Sequence, residues 1–210
     1  MRQTTATRRL RTTRRCLCFA ASIGLVTSSA VVSDEPQPVT DNPTLAELFA
    51  ADQSDRADGP VDSQMLERDS ERRQQVLQQL SSGCVRTAAD HYHAAMVFQH
   101  GESADDFRTA FSLATVSMRL DPRADNPAKW LSAAAWDRLL MKLEQPQWYG
   151  TQYVDRGDGR FRLYDINETA VTDEGRDRLN VPTLTQARER VAEVNALFGS
   201  TEARSQQTAD

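Results

Sequence analysis

Cysteine is almost missing from this chain. Three occur in 210 residues, and Cys16 and Cys18 fall in an N-terminal leader, which leaves Cys84 alone. A single thiol closes no internal disulfide, so the fold must rest on its core. Cys84 follows Ser81-Ser82-Gly83 and reads as a small inert side chain rather than a nucleophile. Lysine is equally scarce, with Lys129 and Lys142 its only occurrences, so arginine carries the positive charge, a bias of genome composition more than of function. The histidines are His91, His93 and His100, none four residues from another. On a helix, His91 and His93 point about 200° apart, and His93 and His100 are separated by about 10 Å of rise. Neither pair chelates one zinc ion, so no metal site and no cofactor is expected. Nucleophile-elbow, phosphate-loop, zinc and kinase motifs are absent as well, which makes hydrolysis a minority reading. Beyond the leader, no segment is long and apolar enough to cross a bilayer.

The first 33 residues carry no Asp or Glu but six arginines (Arg2, Arg8, Arg9, Arg11, Arg14 and Arg15), followed by an apolar core from Leu17 to Val26. That is the profile of a secretory signal peptide over residues 1–33, with Ser28-Ser29-Ala30 supplying the small residues for cleavage after Ala30. Thr13-Arg14-Arg15-Cys16-Leu17 also fits a twin-arginine signal loosely. Neither leader cysteine follows the apolar core, where a lipidated residue would sit. An uncleaved membrane anchor and an amphipathic transit peptide are the alternatives. The expected location is periplasmic or secreted. The chain has 25 basic and 30 acidic residues, and removing the leader takes its net charge from −5 to about −11. An acidic surface of this kind favours solubility and argues against nucleic acid or an anionic membrane as partner.

Residues 34–61 read as a linker and a short helix that begins at Pro43 with Asn42 as its cap. Residues 62–198 read as one helical domain. Its helices are expected over about 62–81, closed by Gly83; 86–100, closed by Gly101 as the C′ residue; 103–120, capped by Ser103; and 127–143. Three consecutive amphipathic helices joined by short turns imply antiparallel hairpins. After Pro146 the pattern turns to period two, predicting a β-hairpin over about 148–164 around Asp155-Arg156-Gly157-Asp158-Gly159. A short helix starts at Thr172. A capping box of Thr183 with Gln186 opens a final helix carrying Leu184, Ala187, Val191, Val194 and Leu197 on one face. The polar segment 199–210 is expected to be a disordered tail. The fold class is thus mainly α, with helical hairpins, one small β-hairpin and a C-terminal helix.

Two resemblances follow from particular residues. Residues 94–142, with Ala110 and Ala114 at close-packing positions, then Leu120-Asp121-Pro122 and Trp130-Leu131, resemble a tetratricopeptide or Sel1-type hairpin array over one and a half repeats. Ala94-Ala95 leading to Gln99-His100-Gly101, Trp136-Asp137-Arg138, Gln147-x-Tyr149-Gly150-Thr151-Gln152 and Arg178 with Val181-Pro182 resemble an uncharacterised bacterial family of hypothetical proteins. That resemblance points to residues and implies no chemistry. The Gly-Trp stretch that many members carry ahead of the first helix is absent.

Candidate site residues come from the same stretch: His93, Gln99, His100, Asp137, Arg138, Gln147, Tyr149, Gly150, Thr151 and Gln152. Asp137 shares a helix face with apolar residues, so its carboxylate needs a partner or a raised pKa. One reading has Asp137 accepting from the hairpin backbone and Arg138 pairing with a carboxylate elsewhere. In the other, His93, His100, Asp137 and Arg138 converge with Tyr149 and Gln152 on one cleft, where His100 and Asp137 form an acid/base pair. His100 just before Gly101 is also explained by the negative end of its helix. Gln147 and Gln152 suit either reading, because amides satisfy backbone groups efficiently. The functional expectation is a non-catalytic binding module for a protein or peptide segment, with a small polar ligand also in reach. The alternative is a small hydrolase-like or ligand-binding enzyme using the His/Asp/Arg cleft.

Overall fold

The computed structural model describes the backbone of residues 39–57 and 61–207 and side chains through residue 196. The segment expected to be a signal peptide, its expected cleavage site and the first part of the expected linker lie outside the described residues. The protein is mainly α, with a two-stranded antiparallel sheet and a C-terminal helix.

Local capping chemistry decides where most helices start. Helix α1 (Pro43–Ala57) begins at Asn42, whose Oδ1 accepts the Thr44 N–H at 3.0 Å. Helix α2 (Ser63–Ser81) opens on Asp62, which accepts from the Met65 N–H, and closes where Gly83 adopts φ +70. Capping boxes open both α3 (Ala88–Gln99), from Thr87 and Asp90, and α4 (Ala104–Leu120), from Ser103 and Asp106. Helix α5 (Ala128–Lys142) follows Asn126, which accepts the Ala128 N–H at 2.9 Å and donates to the Asp121 carbonyl at 2.7 Å. Gly101 does separate α3 from α4, but not through a left-handed backbone. A Cβ there would meet Asp106 Cβ at 2.3 Å, so the tight α3–α4 corner needs glycine for space.

Two hydrogen bonds fix the direction of these helices. Ser117, near the end of α4, donates to the Ala88 carbonyl at the start of α3 (2.8 Å), and Ser132 of α5 reaches Met118 Sδ of α4 (3.7 Å). Consecutive helices are therefore antiparallel. Alanines line the contacts (Ala94, Ala95, Ala110, Ala114, Ala128 and Ala135), allowing close approach, while Leu45, Val76, Val97, Phe98 and Leu131 fill the core. Each fully buried leucine or valine is worth about 1.5–3 kcal/mol.

The N-terminal boundary moves relative to the sequence expectation. Helix α1 is part of the domain core: Leu45 and Leu48 are buried within it, and Asp90 of α3 accepts the Asn42 N–H at 2.7 Å. A ladder of ion pairs, Asp52–Arg56–Asp69–Arg72–Asp55–Arg68, then ties α1 to α2. Hydrogen bonds first from Arg68 and then from Arg72 hold the Asp55 carboxyl down to about 2.

The sheet is shorter than expected. Strands β1 (Tyr153–Asp155) and β2 (Phe161–Leu163) pair antiparallel, with Tyr153 opposite Leu163 and Asp155 opposite Phe161. Residues 148–152, read as strand from their period-two pattern, form an irregular hook. Helix α6 (Asp173–Asp177) is capped by Thr172, and α7 (Leu184–Gln207) opens on the Thr183/Gln186 box. The hairpin is covered from α7: Asn195 accepts the Phe161 N–H and donates to the Phe161 carbonyl, both at 2.8 Å. Helix α7 runs on to Gln207, through most of the stretch expected to be a disordered tail. Ala203, Arg204 and Gln206 are strong helix formers, and the polar residues around them masked that propensity in the sequence.

Candidate functional site

The site is built around the end of α5 and the hook that follows it. Asp137 is 0% exposed and accepts from the backbone N–H groups of Trp148 (2.8 Å), Tyr149 (3.0 Å) and Thr151 (3.0 Å), and from the Thr151 hydroxyl (2.8 Å). From the opposite side, the buried Arg176 of α6 donates to the carbonyls of Trp148 (2.8 Å), Tyr149 (3.1 Å) and Val171 (2.7 Å). The carboxylate thus gathers the donors of the hook and the guanidinium its acceptors. Gln147 completes the clamp: its amide nitrogen donates to the carbonyls of Gln152 (3.0 Å) and Tyr164 (2.9 Å), and its Oε1 accepts the Gln152 N–H (2.9 Å). Gly150, at φ +84, lets the hook turn against Leu184 and Ile166, whose side chains would lie 3.1 and 3.3 Å from a Cβ.

Arg138, the next residue, behaves oppositely. Its Nη1 donates to the Gln99 carbonyl (2.7 Å), its Nε reaches Gln152 Oε1 (3.3 Å), and its guanidinium lies 5.8 Å from the Phe107 ring centroid. Among the described residues no carboxylate lies within ion-pairing distance, contrary to the expected pairing with a second segment. Glu102, which lines a shallow cleft with Arg138, makes no ion pair with it. Burial, then the neighbouring Arg56, pushes the guanidinium below its ordinary value, though an arginine stays charged.

Arg138 opens into a cavity of about 250 Å³ between α3, α5 and the hook. Gln99, His100, Thr151 and Gln152 form its polar lining, and Met96, Trp130 and Tyr153 its apolar one. Trp130 and Tyr153 are exposed at 42% and 40%, although both are large aromatics. Gln99 is buried, and its Oε1 has no hydrogen-bond partner, a deficit of about 1–3 kcal/mol.

His100 does not meet Asp137. Its Nδ1 pairs instead with the buried Asp52 at 2.9 Å, and Arg56 holds the same carboxylate. An acceptor-only carboxylate requires the proton on Nδ1. His93 lies apart, stacked on Phe49 with centroids 4.7 Å apart and its Nδ1 unpartnered; burial lowers its pKa. Of the ten sequence candidates, Gln99, His100, Arg138, Thr151 and Gln152 converge on the cavity. Asp137, Gln147, Tyr149 and Gly150 build the hook behind it.

No family model, curated protein or solved structure matches the chain. The chemistry of the site therefore rests on its own residues. Sequence reasoning missed Asp52, Arg56 and Arg176. It singled out Arg178, which is exposed, whereas Arg176 is 1% exposed. Asp52 gave a weak signal: it lies seven residues after Leu45 and four after Leu48, on their helix face.

Proposed function

We propose that the protein is an exported, non-catalytic binding module that receives a partner's polar group in the cleft at Arg138. The observation that carries this reading is a partly buried guanidinium with no counter-charge among the described residues, facing a cavity. An uncompensated charge out of water is costly, and an external anion is the missing partner. The groups that acid/base chemistry would need support the non-catalytic side. Asp137 is held by four donors of the hook, one of them the hydroxyl of Thr151 from the cavity lining. The resemblance to an uncharacterised bacterial family, carried by Gln99-His100-Gly101 and the residues from Gln147 to Gln152, belongs to the same proposal. It adds no activity.

One observation favours a second reading, a small acid/base enzyme. The Asp52–His100 pair has the geometry of an oriented imidazole, with Nδ1 fixed and the ring at the cavity wall. An Arg138→Met variant decides whether the cleft is a binding site. If the guanidinium serves a partner, removing it relieves an unpaired charge, and the variant melts at or above the parent temperature. A melt several degrees lower would make Arg138 structural and remove the cleft from consideration. Chemical conversion of any bound ligand, abolished in His100→Asn, would replace the module with the enzyme.

A further inference from the structure

We infer that the group taken by this cleft is a carboxylate next to a flat apolar body, as in an aryl-carboxylic acid or the aromatic C-terminal residue of a peptide; the inference rests on the binding reading above. The Arg138 fork is only partly claimed by the protein. Nε faces Gln152 and Nη1 faces Gln99, but Nη2 has no partner among the described residues. A planar fork with an unclaimed edge matches a carboxylate better than a lone point acceptor.

The lining of the cavity suits the same group. Among the described residues no carboxylate lines the cavity, and Asp52 behind His100 and Asp137 behind Thr151 are each held by other donors. An entering anion meets no like charge there. Met96, Trp130 and Tyr153 give the walls an apolar and aromatic character, and the exposure of the two rings is removed if a flat group packs against them. Gln99 Oε1, buried and unpartnered, is an acceptor suited to an N–H beside the carboxylate, as in a chain-terminal residue.

Size limits the ligand. About 250 Å³ is smaller than the roughly 300–1,000 Å³ of sites for drug-sized molecules, so a single terminal group fits and an extended segment does not.

The test titrates the full protein with N-acetyl-phenylalanine, its C-terminal amide and phenylacetate, reading tryptophan emission and melting temperature. The acid is expected to bind saturably, and the amide roughly 10–100-fold more weakly, the loss expected for a charge-assisted hydrogen-bond pair. Arg138→Gln should weaken the acid to the level of the amide. Trp130→Phe should remove most of the emission change while keeping the melting shift. Phenylacetate binding as well as N-acetyl-phenylalanine points to a free acid; clearly weaker phenylacetate points to a chain end, through the N–H at Gln99. Equal binding of acid and amide, an unchanged affinity in Arg138→Gln, or no binding of either acid at millimolar concentration overturns the carboxylate inference. The binding-module reading survives any of these as long as Arg138→Met melts no lower than the parent.

Discussion

Asp137 and Arg138 are consecutive on α5, charged, and largely withdrawn from water, yet their surroundings differ completely. Asp137 meets four donors, and Arg138 meets no opposite charge among the described residues. A carboxylate surrounded by backbone N–H groups is a tie between two segments of chain, and its ligand is the protein itself. A guanidinium held by one carbonyl and one amide oxygen, at the wall of a cavity, is stable enough to stay in place and still has capacity to bind. Burial alone would have ranked Asp137 as the functional residue. The complete count of its partners reverses that order.

The contrast breaks most visibly at Asp137. Asp137→Ala leaves three backbone N–H groups without their acceptor and should cost on the order of 3–5 kcal/mol. At about 2–4 °C per kcal/mol for a domain of this size, its melting temperature should fall by roughly 6–20 °C. A loss under about 2 °C would mean that water replaces the carboxylate and the hook needs no tie.

Arg176→Met attacks the same hook from its acceptor side. Carbonyls tolerate loss of a partner better than N–H groups, so a smaller loss of about 2–4 kcal/mol is expected. Urea unfolding with an unchanged m-value would confirm that the effect is on stability and not on compactness. Combined with Asp137→Ala, the loss should be less than additive, because both side chains hold Trp148 and Tyr149 and the peptide unit between them.

Arg138→Met sharpens the comparison from the other side, with an expected change between zero and about +1 kcal/mol. Thermal melts of the three variants side by side would show opposite signs for neighbours 137 and 138. Same-sign losses of similar size would erase the distinction between tie and site.

The smallest effect is a pH dependence away from both. His93 is harder to protonate in the folded protein than its ordinary value of 6.5, because it is buried beside Phe49. Below that value the unfolded chain binds more protons than the folded one, so this contribution is complete above pH 6.5 and is lost as the pH falls toward the lowered folded value. His93→Phe keeps the stack and removes the titration, so its stability should decline less between pH 7 and 5 than that of the parent. An identical acid slope would show that other groups set it.

How much of this was legible depended on how local each interaction is. Asn42, Ser103, Thr172 and Thr183 act on N–H groups two or three residues away, so spacing alone placed those helix starts, while the caps Asp62 and Thr87 went unread. The period-two pattern of residues 148–152 misled for the opposite reason. Alternation reports a strand only where a ladder supplies the hydrogen bonds, and here Asp137, Gln147 and Arg176 supply them instead. The pairing of Asp52 with His100 spans 48 positions, and no local pattern carries it.

The sequence by itself determined the helical class, several of the capping residues, the antiparallel order that short turns impose, and the choice of 137–152 as the place where polar residues concentrate. Those follow from short-range sterics and hydrogen bonding, whose reach is a few residues. Tertiary structure decided that α1 belongs to the core, that His100 faces Asp52 and not Asp137, and that one of two adjacent charges is fully satisfied while the other is left open to a cavity. Partner identity in a folded chain is set by which helices pack together, and that packing is a global minimum over apolar contacts that no single segment encodes.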